Sequence, residues 1–311
     1  MSSTNPKRVT VLMGGWSAER EVSLKSGAAA ARALAEAGYA VATLDVGRDI
    51  PALLKALGEA RPDVVFNALH GRYGEDGCLQ GVLNILGVPY THSGLLASAV
   101  AMDKPTAKRL FAASGLPTPE GRLVHRDEVL ARDPMPRPYV VKPINEGSSV
   151  GVFIIRDGTE PAFRREGWPF GEWVLVEQFI PGREITVAVM GGRVLGALEI
   201  TSDRGFYDYE AKYAPGGSRH IMPAPLPSGA YDEACRLALL AHQVLGCRGV
   251  SRADLRYDDT RPGEAPRFYL LEVNTQPGMT TTSLVPDIAG HAGISFPELV
   301  SWMVENAQCD A

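Results

Sequence analysis

Apolar runs of strand length alternate with longer helical stretches through the first third of the chain. Residues 9–13 (Val-Thr-Val-Leu-Met) form a buried-strand pattern that Gly14-Gly15 closes. Residues 21–37 are rich in alanine and stop at Gly38, which predicts a helix. Residues 39–44 read as a second strand, 53–60 as a helix and 64–67 as a third strand. Strand, helix, strand, helix is the pattern of a parallel α/β sheet. Ligand groups in such sheets gather beyond the carboxyl ends of the strands. The segment 14–19 and His70 both lie there, so they are candidates by position.

The pattern changes after Met102. Residues 104–113 read as a helix ended by Ser114-Gly115 ahead of Pro117 and Pro119, and Pro134, Pro136 and Pro138 mark a loop. Residues 139–142, 152–155 and 174–179 read as strands around a glycine-bearing loop. Residues 184–190 and 194–200, joined by Gly191-Gly192, form a hairpin pattern. A polar stretch at 201–220 reads as a long loop, rich in aromatic and charged residues, in the manner of a lid. A helix over 231–245 then precedes strands at 250–257 and 268–273.

Composition narrows this picture. A length of 311 residues suits two or three sub-domains, and 45% hydrophobic content is that of an ordinary globular chain. A net charge of −5 gives no broad footprint for nucleic acid or membrane. The first apolar run ends at Gly14, too soon for a signal-peptide core or a membrane span. Cys78, Cys235, Cys247 and Cys309 form no C-x-x-C pair, as expected of reduced thiols in a cytoplasmic protein.

Candidate chemistry begins with the last two strands. Alternate strand residues share a face, so Arg252 lies with Asp254 and Glu272 with Asn274. A hairpin centred near Gly263 sets Asp254 opposite Glu272, a like-charge pair that destabilises unless a cation intervenes. The donors are all oxygen, which suits Mg²⁺ shared with phosphates and water. A solvated polar face with Arg252 as counter-ion is the other reading. Lys142 ends an apolar strand, and the following loop 146–151, with its small residues, offers backbone N–H groups and hydroxyls to a phosphate, or is simply a turn. The chain has no G-K-[ST] and no G-x-G-x-x-G after its first strand, so neither a P-loop nor a dinucleotide fingerprint is present. Glu19 either faces a cleft, as partner for a substrate ammonium, or complements the dipole of the first helix.

Eight blocks in order resemble the D-alanine–D-alanine ligases of the ATP-grasp superfamily, over essentially the whole chain. They are 14–23, 68–71 with 74–77, 102–104, 141–151, Glu177 with 181–184, 207–213, 252–254 and 271–280. The resemblance implies an α/β ATP-grasp fold in three parts: an N-terminal parallel-sheet domain over 1–103, a small central α+β subdomain over 104–182 and a C-terminal α+β subdomain over 183–311. It also implies a reaction. The carboxylate of one D-alanine takes the γ-phosphoryl group of ATP, and the amine of a second D-alanine displaces phosphate through a tetrahedral intermediate. The dipeptide feeds peptidoglycan synthesis.

Position by position, the resemblance assigns Lys104, Lys142 and the lid residue Lys212 to nucleotide phosphates, and Glu177 and Glu184 to nucleotide contacts, Glu184 on the ribose. Asp254, Glu272 and Asn274 match the ligands of two Mg²⁺ or Mn²⁺ ions. Arg252 and the N–H of Gly278 match the oxyanion donors. Glu19 matches the partner of the first substrate's ammonium, with His70 nearby and Ser148 and Tyr213 linking it to the lid. Ser283 and Leu284 match the site of the second carboxylate. The family implies a cytoplasmic homodimer acting on D-alanine and ATP.

Departures are few: Trp16 in the first turn, Gln178 after the hinge glutamate and Gln276 where some relatives have serine. Two alternatives remain: a ligase using D-lactate or D-serine as second substrate, against which Tyr213 argues in the case of D-lactate, and a non-catalytic nucleotide-binding protein.

Overall fold

The computed structural model describes residues 5–147, 151–158, 163, 165–201, 219–280 and 282–310. Ser148, Lys212 and Tyr213, and with them the 202–218 part of the expected lid, lie outside the described residues.

The N-terminal unit is a parallel sheet in the order β2-β1-β3, built from β1 (Arg8–Gly14), β2 (Ala40–Val46) and β3 (Val64–Asn67). Helices α1 (Arg20–Glu36) and α2 (Ile50–Ala60) make the crossovers. Helix α2 begins earlier than its pattern suggests. Asp49 accepts a hydrogen bond from the Ala52 N–H, and Pro51 sits in the first turn, where it has no hydrogen bond to lose. Two short helices follow, α3 (Cys78–Leu86) and α4 (Leu95–Met102), and then α5 (Lys104–Ala113), capped by Asp103.

A second sheet, antiparallel and in the order β4-β7-β5-β6, contains β4 (Gly121–His125), β5 (Tyr139–Lys142), β6 (Phe153–Ile155) and β7 (Trp173–Gln178), with α6 (Arg126–Ala131) between its first two strands. Its core includes Val124, Tyr139, Val141 and Val176, with Phe153, Phe163, Trp168 and Phe170 packed edge-on beside them.

The third sheet is antiparallel, in the order β10-β9-β8-β11-β12. Its strands are β8 (Arg183–Met190), β9 (Arg193–Thr201), β10 (Arg219–Ile221), β11 (Val250–Asp258) and β12 (Arg267–Asn274). Helix α7 (Ser228–Val244) covers one face with α5, and α8 (Leu284–His291) and α9 (Phe296–Glu305) complete the chain. One continuous apolar cluster joins Val9, Val11 and Phe66 of the first sheet to Leu198 and Val250 of the third and to Val285, Ile288 and Leu299 of the last two helices. The first and third sheets therefore share a core, and the cleft floor between them is stiff.

Candidate active site

The site is assembled from the carboxyl ends of β1 and β3, the start of α5, the end of β5 and the β11–β12 pair. The hairpin register is the expected one: Asp254 faces Glu272 and Arg252 faces Asn274. Immediately beyond, a bulge shifts the pairing so that Leu255 faces Leu270. Four polar side chains thus share one face of the sheet.

Each carboxylate on that face has a cationic partner. Arg252 grips Asp254 with two hydrogen bonds, Nε to Oδ1 at 2.9 Å and Nη2 to Oδ2 at 2.7 Å, while Thr186 donates to Oδ1 at 2.6 Å. Lys104 Nζ lies 3.6 Å from Glu272 Oε2 and donates to the Glu146 carbonyl at 2.6 Å. Arg252 and Lys104 offset the repulsion expected across the hairpin. Arg252, the expected oxyanion donor, makes both of these bonds to Asp254 from the same strand.

The lysine cluster behind this face is more coupled than its spacing suggests. Glu177 is buried, with Lys108 on one carboxylate oxygen and Lys142 on the other. Burial pushes the Glu177 carboxyl up, but Lys142 and Lys108 together outweigh it and hold the group below its ordinary value. Burial also draws the Lys108 ammonium down, against the pull of Glu177. Glu184, on β8, faces Arg256 across the strand pair at 3.4 Å. Arg256 also donates to the carbonyls of Ile180 at 3.1 Å and Gly182 at 2.6 Å, tying down the hinge between the second and third sheets. Burial lowers the Arg256 guanidinium although Glu184 opposes it.

The other wall is acidic. Glu19 occupies the N-cap of α1 and makes no capping bond with its side chain. It is buried, with Oε2 so close to Gly71 that a Cβ there would come within 2.9 Å, at a backbone φ of +70°. Glycine is the residue that fits such a place. His70 Nδ1 lies 3.8 Å from Glu75 Oε2, and His70 Nε2 lies 3.2 Å from Ser26 Oγ. Ser283 occupies the N-cap position of α8 without a side-chain capping bond; its Oγ accepts from the Thr280 N–H at 3.0 Å and lies 2.9 Å from where a Cβ on Gly278 would sit.

These groups line two adjoining cavities. The first, about 960 Å³ and open to solvent, brings together Glu19, His70, Glu75, Lys104, Arg252, Glu272, Asn274, Gly278, Ser283 and Leu284. The second, about 840 Å³, is lined by Lys104, Lys142, Glu177, Glu184, Asp254 and Arg256 along with apolar side chains such as Val140, Phe179 and Leu271. Lys104 and Glu272 border both.

Four contributors lack a role in the sequence reading: Glu75, Lys108, Arg256 and Ser26. Lys108 had a signal, since it follows Lys104 by one helical turn and shares its face. Glu75 lies in a glycine-bearing loop past the end of β3, a position that marks ligand groups in parallel sheets. Ser26 and Arg256 had none, because each is defined by partners remote in sequence.

An apolar-walled pocket with lysines, sandwiched between two antiparallel α+β units and facing an acidic pocket on a parallel-sheet domain, is the architecture of an ATP-grasp ligase. Family models for the D-ala D-ala ligase C-terminus and N-terminus match residues 110–305 and 55–93. The D-alanine–D-alanine ligase of Paramagnetospirillum magneticum is 69% identical over 98% of this chain and 99% of its own length, and that of Rhodospirillum rubrum is 62% identical over 98% and 99%. A crystal structure of the Bacillus anthracis D-alanine–D-alanine ligase complexed with ATP superposes with a TM-score of 0.79 at 30% identity, covering 97% of both chains. The chain belongs to the D-alanine–D-alanine ligase family.

Proposed function

We propose that this chain joins two molecules of D-alanine into D-alanyl-D-alanine with conversion of ATP to ADP and phosphate, as a step of peptidoglycan synthesis. One observation carries the reading most directly. A buried pocket with two carboxylates (Glu19 and Glu75, beside His70) and two oxygen donors, Glu272 and Asn274, open into one cavity, and that cavity shares Lys104 and Glu272 with a lysine-lined pocket that holds Asp254. Substrate ammonium, reacting carboxylate and phosphate chain therefore have adjacent places.

ATP occupies the second cavity, its base among the apolar residues near the hinge, with Glu177 and Glu184 as contacts and Glu184 on the ribose. Lys142 and Lys104 take its phosphates, spreading positive charge over the transferring group. The first D-alanine sets its ammonium on Glu19 beside His70, and its carboxylate takes the γ-phosphoryl group to become an acyl phosphate. The second D-alanine places its carboxylate at Ser283 and Leu284. Its amine, having lost a proton, adds to the acyl carbon, and phosphate leaves. Arg252 and the Gly278 N–H receive the oxyanion between these events. Ser148, Tyr213 and Lys212 are assigned to the lid network on the family pattern alone.

The donor set of Asp254, Glu272 and Asn274 fits Mg²⁺ or Mn²⁺, since it is entirely oxygen and already gathered on one sheet face. Bound there with ATP, one or two such ions neutralise phosphate charge. Asn274 is pre-oriented for the task, its Oδ1 accepting from the Gln276 N–H at 2.8 Å.

A cytoplasmic homodimer completes the proposal. No helix among the described residues is long and apolar enough to cross a membrane, and all four cysteines are unpaired.

The test is phosphate release with Mg-ATP, screened against D-alanine, L-alanine, D-serine and D-lactate, with the product identified. D-Alanine alone is expected to give one dipeptide per phosphate. A strong ester product from D-alanine and D-lactate near neutral pH would overturn the assignment in favour of a depsipeptide ligase, and no phosphate release with D-alanine would overturn catalysis itself.

A further inference from the structure

Between the end of β12 at Asn274 and the start of α8 at Leu284, the described chain has no regular hydrogen-bond ladder. Yet this segment follows one proposed metal ligand and contains a proposed oxyanion donor. Its position therefore rests on a few side-chain ties. Gln276 is almost wholly buried, at 1% exposure. Its Oε1 accepts from Asn67 Nδ2 at 2.8 Å and, more weakly, from Gln80 Nε2 at 3.5 Å. Its Nε2 donates to the Leu69 carbonyl. Three residues on, the Met279 N–H donates to Ser26 Oγ at 3.2 Å.

Both ties end beside His70. Leu69 immediately precedes it, and Ser26 Oγ lies 3.2 Å from its Nε2. Asn67 completes the arrangement by accepting from the Leu69 N–H at 3.1 Å and donating to the Gly74 carbonyl at 2.9 Å, so the same amides shape the 67–75 loop. Asn67, Gln80 and Ser26 are fully buried. We propose that Gln276, assisted by Ser26, is a positioning residue that keeps the 275–280 loop in register with the His70 loop. It thereby sets the distance between the ammonium pocket and the oxyanion donor.

This inference rests on the ligase reading for its catalytic consequence. When the loop slips, the acyl phosphate still forms, because the lysines and Glu19 are untouched and the backbone N–H of residue 276, which orients Asn274, survives a change of side chain. The amine of the second substrate then meets it in poor alignment, and water takes its place, returning D-alanine and phosphate without a dipeptide. Misplacement by about 1 Å is enough to cost about a hundredfold in rate.

Gln276→Met keeps the volume and removes the amide. Phosphate released per dipeptide formed is expected to rise from one in the parent to two or more, with KM for ATP within twofold. Ser295→Ala, a stability control at the start of α9, is expected to leave the ratio at one. A ratio of one in folded Gln276→Met, whatever the loss of rate, overturns the proposal. Should that variant not fold, Ser26→Ala carries the same expectation and the same overturning result. If the parent itself makes no dipeptide, the ligase reading fails, and hydrogen exchange decides the positioning role separately. Amides of 275–280 are expected to exchange at least tenfold faster in Gln276→Met, or in Ser26→Ala should that variant replace it, than in the parent, with equal rates overturning it.

Discussion

Lys142 shows how burial alters the meaning of a single residue. At the end of an apolar strand it reads as a phosphate lysine outside the core, whose loss damages ATP use far more than folding. In the structure it is buried against Glu177, so Lys142→Ala removes one of two cations holding a buried carboxylate. Lys108 still serves that carboxylate, so the expected loss of stability is about 1–3 kcal/mol rather than the larger cost of an orphaned charge. ATP-dependent phosphate release is expected to fall by about two orders of magnitude. Urea unfolding and a phosphate assay read the two effects separately. Glu19→Gln keeps the shape of the pocket and removes one of its two carboxylates. The apparent D-alanine requirement is expected to rise about tenfold or more, the scale of a lost charge-assisted hydrogen bond. A D-alanine titration checks this, and an unchanged dependence counts against the role.

At the scale of elements, the strands of the three sheets other than β4 and β10, and helices α1, α2, α5 and α7, were legible, because apolar runs bounded by glycine and proline carry their own punctuation. The pairing of Asp254 with Glu272 was legible for the same reason: strand alternation and a hairpin fix which side chains meet. Helices α3, α4, α8 and α9 were not. Residues 95–102 (Leu-Leu-Ala-Ser-Ala-Val-Ala-Met) have almost no polar face to set a period. Helices α8 and α9 carry Pro286 and Pro297 in their first turns, where proline is well tolerated but reads as a breaker. Helix α9 is held at its start by a capping box, Ser295 Oγ with the Glu298 N–H and the Glu298 carboxylate with the Ser295 N–H. Ser295→Ala is expected to lower stability by about 1 kcal/mol in urea unfolding, with D-alanine and ATP dependence unchanged.

For the whole molecule, the seam between the first and third sheets holds an acid-sensitive group. His92 lies in that seam, wholly buried, its carbonyl accepting from Arg248 Nε at 3.2 Å and its ring edge-on to Phe66. Burial, with help from the charge of His70, pushes its pKa down to about 3. An unfolded chain binds this proton near pH 6.5, whereas the folded chain does not until about 3. The unfolded state thus binds more protons across that window, and stability falls as pH drops through it, by about 1.4 kcal/mol per unit. Urea midpoints between pH 7 and 4 are expected to decline accordingly, and His92→Asn is expected to flatten the slope. A parent midpoint independent of pH over this range would refute the account.

Local pattern alone determined that this chain has a parallel α/β start, antiparallel hairpins afterwards, and an acidic cluster on one face of its last hairpin. Such features depend on neighbours a few residues apart, or on one turn. The resemblance to a known family added the chemistry. Tertiary structure alone decided which charges face one another across the cleft. It placed Lys104 beside Glu272, Lys108 and Lys142 on Glu177, and Gln276 against Asn67 and Leu69. The last of these joins residues some two hundred positions apart. Separations of that size are closed only when the first and third sheets bury a common core, and no local periodicity records it.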